Sequence, residues 1–464
     1  MPDSKPRALP DEISSFLERG GSFLLIRGPA GSGKTALLYQ MMERHQAQEL
    51  ILWTNHPPPE SRVERNPYLK DRFIIGKETL ERSLAIQKIY DHILKLPDDR
   101  RVLILLDDVE RLVSRYMSSR KELIPLETEV ESLIQNIESE FISKRRANLV
   151  VTSERLRGGA LEHMANGSIS LRRTNILGRM GRVLEVDKLE DSNYEQRTCL
   201  FTLANGSFRC IGPQEHKWTI EPPASWEPVK PDAPAEGVYY SSGNRSFDGI
   251  LGGGYRRGTF TLLEASGEVP EWVNLTIIYS AIYNFTSLNS GVILSIAGSQ
   301  TPANVQKNVS PVIGPEKFSA LVRVLTPFTQ ATRQQFVLSA HSESSRERLN
   351  IWKNAISQLR GATSNNPVLD ITDFTALEHT FEKNALLQMI DEGVKRVNYE
   401  GDFLLGIVRS DSGIAKNVAN MSDNHFRIVE VHGAYAIFGV KPRTEMYVLE
   451  FGNKYPQFDP VKLA

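Results

Sequence analysis

Short apolar runs recur along the chain, separated by stretches rich in glycine, proline and charge. Phe23-Leu24-Leu25-Ile26, Leu50-Ile51-Leu52-Trp53, Phe73-Ile74-Ile75, Val102-Leu103-Ile104-Leu105-Leu106 and Leu149-Val150-Val151 show no polar alternation. Such runs predict strands buried on both faces of a sheet. Residues 36–42, 78–95 and 118–143 read as helices between them, the last as one long helix or two broken near Pro125. Residues 11–19 set Ile13, Phe16 and Leu17 on one helical face, and Gly20-Gly21 stops that helix ahead of the first strand. From Asn166 the pattern changes to short alternating segments at 168–171, 182–186, 198–203 and 207–210. Asn205-Gly206 marks a hairpin between the last two.

Residues 212–237 hold Pro213, Pro222, Pro223, Pro228, Pro231 and Pro234 with few apolar runs, the composition of a semi-extended linker. Beyond it the series begins again. Strands are expected at 259–264, 291–296, 368–371 and 402–408, followed by an antiparallel region at 426–431, 434–438 and 446–451. Alternating βα units followed by hairpins predict a RecA-like P-loop core rather than a Rossmann domain. The expected class is α/β, with two tandem RecA-like domains. Each would have a mostly parallel sheet, helices on both faces and antiparallel C-terminal hairpins. The expected division is 1–212, a linker at 213–237, and 238–464.

Length agrees, because 464 residues exceed one ordinary core. A net charge of −1 leaves no electrostatic footprint for nucleic acid or an anionic membrane. Cys199 and Cys210 are the only cysteines, too few for a disulfide framework or a metal site. With no apolar targeting core and no long apolar run, a cytoplasmic protein is expected.

The chemistry centres on Gly28-Pro29-Ala30-Gly31-Ser32-Gly33-Lys34-Thr35, which matches G-x-x-x-x-G-K-[ST] between an expected strand and helix. Its glycines let backbone N–H groups wrap a phosphate, and the new helix points its positive end at the anion. Lys34 would reach the β- and γ-phosphates of ATP, and Thr35 would offer its hydroxyl to Mg²⁺. Asp107-Asp108 follows the most apolar run, at the carboxyl end where ligands of parallel sheets gather. Asp107 is assigned to the metal, directly or through water, and Asp108 to the neighbourhood of the attacking water, with Glu110 and Glu154 in reserve. Thr152 and Ser153 are either γ-phosphate sensors or plain strand-end hydroxyls. In the second half the corresponding loop, residues 265–273, has one glycine, two glutamates (Glu268 and Glu271) and no lysine. Two carboxylates there would repel phosphate. The second copy is expected to be a degenerate pseudo-ATPase domain.

Leu251-Gly252-Gly253-Gly254-Tyr255-Arg256-Arg257-Gly258-Thr259 resembles the L-G-G-G-x-x-x-G-[ST] lead-in of KaiC-type ATPases of the RecA superfamily. The first half is similar to their GvpD branch, named for archaeal gas-vesicle regulators. It shares a helix and Gly20-Gly21, then Leu24-Leu25-Ile26-Arg27-Gly28, then the P-loop. The likeness covers nearly the whole chain. It implies ATP binding with slow hydrolysis in the service of regulation, and a regulatory protein as partner. Members commonly carry a glutamate pair just past the second strand, where Asn55 and His56 stand here. Their late hairpin ends in R-x-L-x-x-x-K-x-R and reaches a neighbouring subunit's nucleotide, which implies a homo-oligomer. Arg182, Leu184 and Lys188 match it, and Glu190 replaces the final arginine; in the second half Arg427 remains and His432 stands near the lysine position.

Three readings follow. One is an ATP-dependent switch in which Lys34 and Mg²⁺ stabilise charge and Asp108 orients water. A second is an ATP-stabilised scaffold that hardly turns nucleotide over. The third is a recombinase-like DNA binder using Arg172, Arg173, Arg179 and Arg182, which the neutral net charge disfavours.

Overall fold

The computed structural model describes residues 9–45, 49–54, 73–75, 91–96, 101–111, 126–144, 147–154, 160–193, 196–213, 226–231, 238–295, 300–326, 334–339, 345–452 and 457–463. The chain divides into two compact units, residues 1–213 with 463–464 and residues 214–462. Among the described residues no helix is long and apolar enough to cross a membrane.

The first unit holds β1 (Phe23–Arg27), β2 (Glu49–Trp53), β3 (Phe73–Ile75), β4 (Val102–Leu106), β5 (Ala147–Ser153), β6 (Gly167–Ile176), β7 (Arg179–Leu189), β8 (Thr198–Thr202) and β9 (Arg209–Ile211) in one sheet. Their order is β3-β2-β4-β5-β1-β6-β7-β8-β9. Pairing is parallel from β3 to β6 and antiparallel from β6 onward. β1, β4 and β5 are buried at every position, as unalternating runs require. Helices α1 (Asp11–Glu18) and α2 (Lys34–Arg44) pack Ile13, Phe16, Leu37 and Met41 on one face, against Leu24, Ile26, Leu103 and Leu105. The Leu126–Ile137 helix and the π-helical turn Glu138–Ile142 cover the other face, with Leu133, Ile134 and Phe141 against Phe23, Leu25 and Ile104.

The second unit repeats the topology. A small ladder pairs β10 (Tyr239–Tyr240) with β11 (Tyr255–Arg256). The main sheet contains β12 (Thr259–Ala265), β13 (Val292–Ser295), β14 (Val322–Thr326), β15 (Val337–Ser339), β16 (Leu369–Asp373), β17 (Phe403–Arg409), β18 (Asn424–Val431), β19 (Ala434–Lys441), β20 (Met446–Phe451) and β21 (Phe458–Lys462). Its order is β15-β14-β13-β16-β17-β12-β18-β19-β20-β21. With β15 as an added edge strand, β12 holds the place of β1, and each later strand holds the place of its first-unit counterpart. The Glu271–Ser287 and Pro302–Ile313 helices bury one face. The Lys383–Glu400 and Ser345–Ala362 helices lie on the other. Both units thus have the expected α/β class, with mostly parallel sheets, helices on both faces and antiparallel C-terminal hairpins.

The glycine-rich lead-in to β12 has a plain backbone cause. Asn244 caps the Arg245–Leu251 helix by accepting from the N–H of Phe247, and Gly252 ends that helix at φ 80°. Gly254, at φ 110°, runs against the backbone of Tyr240, where a Cβ would lie 2.5 Å from the carbonyl oxygen. Only glycine fits there.

Some elements depart from the expectation. The β6–β7 hairpin extends to Ile176 and starts again at Arg179, well beyond the predicted 168–171 and 182–186. On the β6 side, residues 172–175 are exposed and carry no hydrophobic alternation to read. Of the predicted helix at 78–95, residues 91–94 are helical and 76–90 lie outside the described residues. So do Asn55 and His56.

Candidate functional site

The glycine-rich loop lies between β1 and α2, at the carboxyl edge of the first sheet. Gly28 donates its N–H to the Ser153 carbonyl at 3.1 Å, which ties the start of the loop to the end of β5. A Cβ on Gly28 would stand 2.5 Å from Ser32 Oγ and 2.7 Å from the Leu171 carbonyl. Within the loop, Ser32 N–H closes a turn on the Pro29 carbonyl at 3.1 Å. Gly33 then caps α2 in the left-handed region at φ 109°, so that the helix begins at Lys34. The N–H groups of a first helical turn have no intrahelical acceptor and face out of the helix end, which suits an anion. The Lys34 ammonium is buried and donates to the carbonyls of Gly28 at 2.7 Å and Pro29 at 3.3 Å.

Asp107 follows β4 and sits within reach of α2. Thr35 Oγ1 lies 3.2 Å from Asp107 Oδ1 and 3.1 Å from Oδ2. Thr54, just past β2, donates to Oδ2 at 3.1 Å, and Thr152 on β5 donates to Oδ1 at 3.1 Å. Three hydroxyls from neighbouring elements thus converge on one buried carboxylate, 2% exposed. Thr152 Oγ1 also accepts from the Asp108 N–H at 2.7 Å, so this strand-end hydroxyl positions both aspartates.

Asp108 turns away from that cluster. Its backbone is left-handed at φ 60°, and its Oδ2 pairs with Arg111 Nε at 2.8 Å. Burial pushes its carboxyl above the usual range, against the hydrogen bond and charge of Arg111 and together with the nearby Glu154 and Glu110. Glu110 accepts from the Ser153 hydroxyl, and Glu154 lies 3.5 Å from Arg111. None of these three carboxylates is brought to the cluster around Asp107 by the contacts they make.

The arginine-rich hairpin does approach the loop. Arg173 on β6 and Arg182 on β7 face each other as direct partners in the ladder. Arg173 donates to the Gly31 carbonyl at 3.1 Å, and Arg182 donates to Gly31 at 3.3 Å and Ser32 at 3.5 Å. Burial, and then the adjacent Arg173 charge, pull the Arg182 pKa down. Two like charges at one loop tip mark a place where an anion would relieve repulsion. The other members of the arginine run behave differently: Arg172 pairs with Glu185, and Arg179 is buried. Lys188 is held locally by Glu190 at 2.6 Å and the Ala165 carbonyl at 3.0 Å. Neither Thr54 nor the loop contacts of Arg173 and Arg182 were foreseen. A polar residue at the carboxyl end of a buried strand was the available signal for Thr54.

Comparison with known proteins finds a relative over almost the full length. The chain is 24% identical over 477 residues to protein GvpD2 of Halobacterium salinarum, covering 94% of this chain and 92% of that protein. The chain is GvpD-like. A second relative from the same organism, protein GvpD1, is 25% identical over 349 residues, spanning 69% of this chain and 62% of its own length. No protein-family model matches the chain.

In the second unit of this GvpD-like chain, the loop after β12 has a different chemistry. Its helix begins at Glu271, whose carboxylate sits in the first turn and already supplies negative charge to the positive helix end. Glu268 beside it is fully exposed, its pKa lowered by its own backbone N–H and by Ser266. Arg409 donates to the Gly267 carbonyl at 3.1 Å, so an arginine holds this loop too. Ahead of the loop, Glu264 is buried between His425 and Arg427, each at 2.7 Å, and Arg427 is therefore committed to its own unit.

Proposed function

We propose that the chain is a cytoplasmic, ATP-binding, RecA-like regulatory protein of the gas-vesicle regulator kind. In this reading it is a slow Mg²⁺-dependent ATPase switch that acts on a protein partner. The observation that carries the reading is the meeting of Thr35 and Asp107 at 3.1–3.2 Å beside a loop whose lysine is buried within it. That donor set fits Mg²⁺. Among the described residues no group of three or more His, Cys, Asp or Glu could hold a metal, so a cation here would draw on nucleotide oxygens and water, as Mg²⁺ commonly does. Thr35 and Asp107 would hold it, and once bound it would neutralise charge on the transferred phosphoryl group. Lys34 would leave the Gly28 carbonyl for phosphate oxygens. Arg173 and Arg182 would hold the loop tip and add positive charge in the same chain.

A second reading, an ATP-stabilised scaffold or sensor, is favoured by one observation. Asp108, the candidate to orient water, is committed to Arg111. Single-turnover hydrolysis of labelled ATP by excess protein separates the two. Turnover abolished by both Lys34→Ala and Asp108→Asn supports the switch. Tightly bound ATP that stays intact supports the scaffold. A DNA-binding role is disfavoured by the net charge and by the pairing of Arg172 with Glu185.

A further inference from the structure

On one face of the second unit's sheet lies a cavity of about 50 Å³. The Ser345–Ala362 helix brings Arg348 and Trp352 to it, and the Lys383–Glu400 helix brings Ile390. Ser295, the last residue of β13, and Thr372, near the end of β16, line it at the carboxyl edge of the sheet, where open α/β sheets take ligands. The residues of the lost phosphate loop do not line it. At about 30 Å³ per water in the liquid, the space holds one or two waters, so a ligand within it is at most a short organic acid.

Arg348 is the feature that needs an explanation, because it is 5% exposed. It donates to Ser295 Oγ at 2.8 Å and lies 5.6 Å from the centre of the Phe381 ring. Arg323, equally buried, turns its guanidinium onto the backbone carbonyls of Ser319 and Val322, and two further buried arginines meet carboxylates. Arg27 pairs with Glu162 and Asp187, and Arg396 pairs with Glu400 and Asp402. Among the described residues no carboxylate pairs with Arg348, and burial alone lowers its pKa. A buried guanidinium without an anion is strongly unfavourable. Its planar fork suits the two oxygens of a carboxylate. The remaining wall is largely apolar, with Trp352, Phe374, Ile390 and Leu404, which suits an alkyl tail. A phosphate dianion would require more donors than one fork and a hydroxyl supply.

We propose that this cavity binds a small monocarboxylate with a short apolar tail, the carboxylate on Arg348 and Ser295 and the tail against Trp352, Phe374 and Ile390. The second unit then carries a ligand site of its own, independent of the phosphate loop in the first.

The test titrates the full chain with straight-chain carboxylates from acetate to octanoate, followed by calorimetry and ligand-observed NMR. Butyramide serves as the neutral match for butyrate. Saturable binding strongest at butyrate or a shorter acid, with butyramide at least about tenfold weaker than butyrate, is the expected result. Arg348→Met, confirmed folded by circular dichroism, should lose the butyrate signal. Should that variant not fold, Leu404→Phe, which fills the cavity and keeps the arginine, should lose it instead. Affinity that rises steadily through octanoate, equal binding of butyramide, or no binding by about 10 mM butyrate overturns the proposal. Butyrate binding that survives in whichever folded variant is used does the same.

Discussion

The hydroxyl of Thr35 meets both carboxylate oxygens of Asp107, at 3.2 and 3.1 Å, across 72 positions of sequence. One residue lies in the first turn of α2 and the other follows β4, and β4 is reached from β1 through β5. The pair therefore depends on the strand order of the whole parallel sheet.

Asp107→Asn keeps the shape and removes the charge. Its amide nitrogen faces hydroxyls that donate to the carboxylate, so the first unit should lose about 1–3 kcal/mol of stability. In the proposed reading, the gain in ATP affinity on adding Mg²⁺ should fall at least about tenfold, while metal-free binding changes little. Chemical denaturation and ATP titrations with and without Mg²⁺ measure both. An undiminished Mg²⁺ effect would remove Asp107 from the metal site.

Arg173 and Arg182 meet at the loop tip with repelling charges, so ATP should bind more weakly without them. Arg182→Ala and Arg173→Ala are each expected to reduce ATP affinity by about tenfold, and the effect should shrink at high salt. Because the hairpin belongs to the same chain, dilution should not change the size of the loss. A concentration-dependent loss would point instead to arginines supplied by another copy.

Much of the fold was legible because its central strands are unbroken apolar runs, as in β4, and because G-x-x-x-x-G-K-[ST] is a local pattern. Asp107 was legible from its place after β4. The arginine contacts were not, since Arg173 and Gly31 lie 142 positions apart and meet only through the β1–β6 pairing. β14 was overlooked because Arg323 interrupts its apolar run; that side chain is buried and turns back to the carbonyls of Ser319 and Val322. β21 was overlooked because Pro460 sits within it, which an edge strand tolerates. The cavity beside Arg348 had no sequence signal, because its walls come from elements scattered between Ser295 and Leu404.

Asp370 gives the second unit a pH dependence with a defined sign. It is fully buried, and burial, aided by Asp402, pushes its carboxyl up to about 7 from 3.8, against Arg396 and the Thr372 hydroxyl. The same cluster includes Arg360 and Glu400. Between those two values the folded state binds a proton that the unfolded chain has released, so stability falls as pH rises through this window. The gap bounds the effect at roughly 4 kcal/mol. Asp370→Asn should flatten the decline in melting temperature between about pH 4 and 7 and leave the variant no less stable than the parent at the upper end. A parent whose second unit grows more stable over that range would contradict the burial argument.

The most direct test of the central claim is an equilibrium titration of the full chain with labelled ATP in Mg²⁺, beside Lys34→Ala and Glu268→Ala. One ATP per chain is expected, with affinity reduced at least about a hundredfold by Lys34→Ala while the fold is retained, and unchanged by Glu268→Ala. No saturable binding, or parental affinity in Lys34→Ala, would contradict the account.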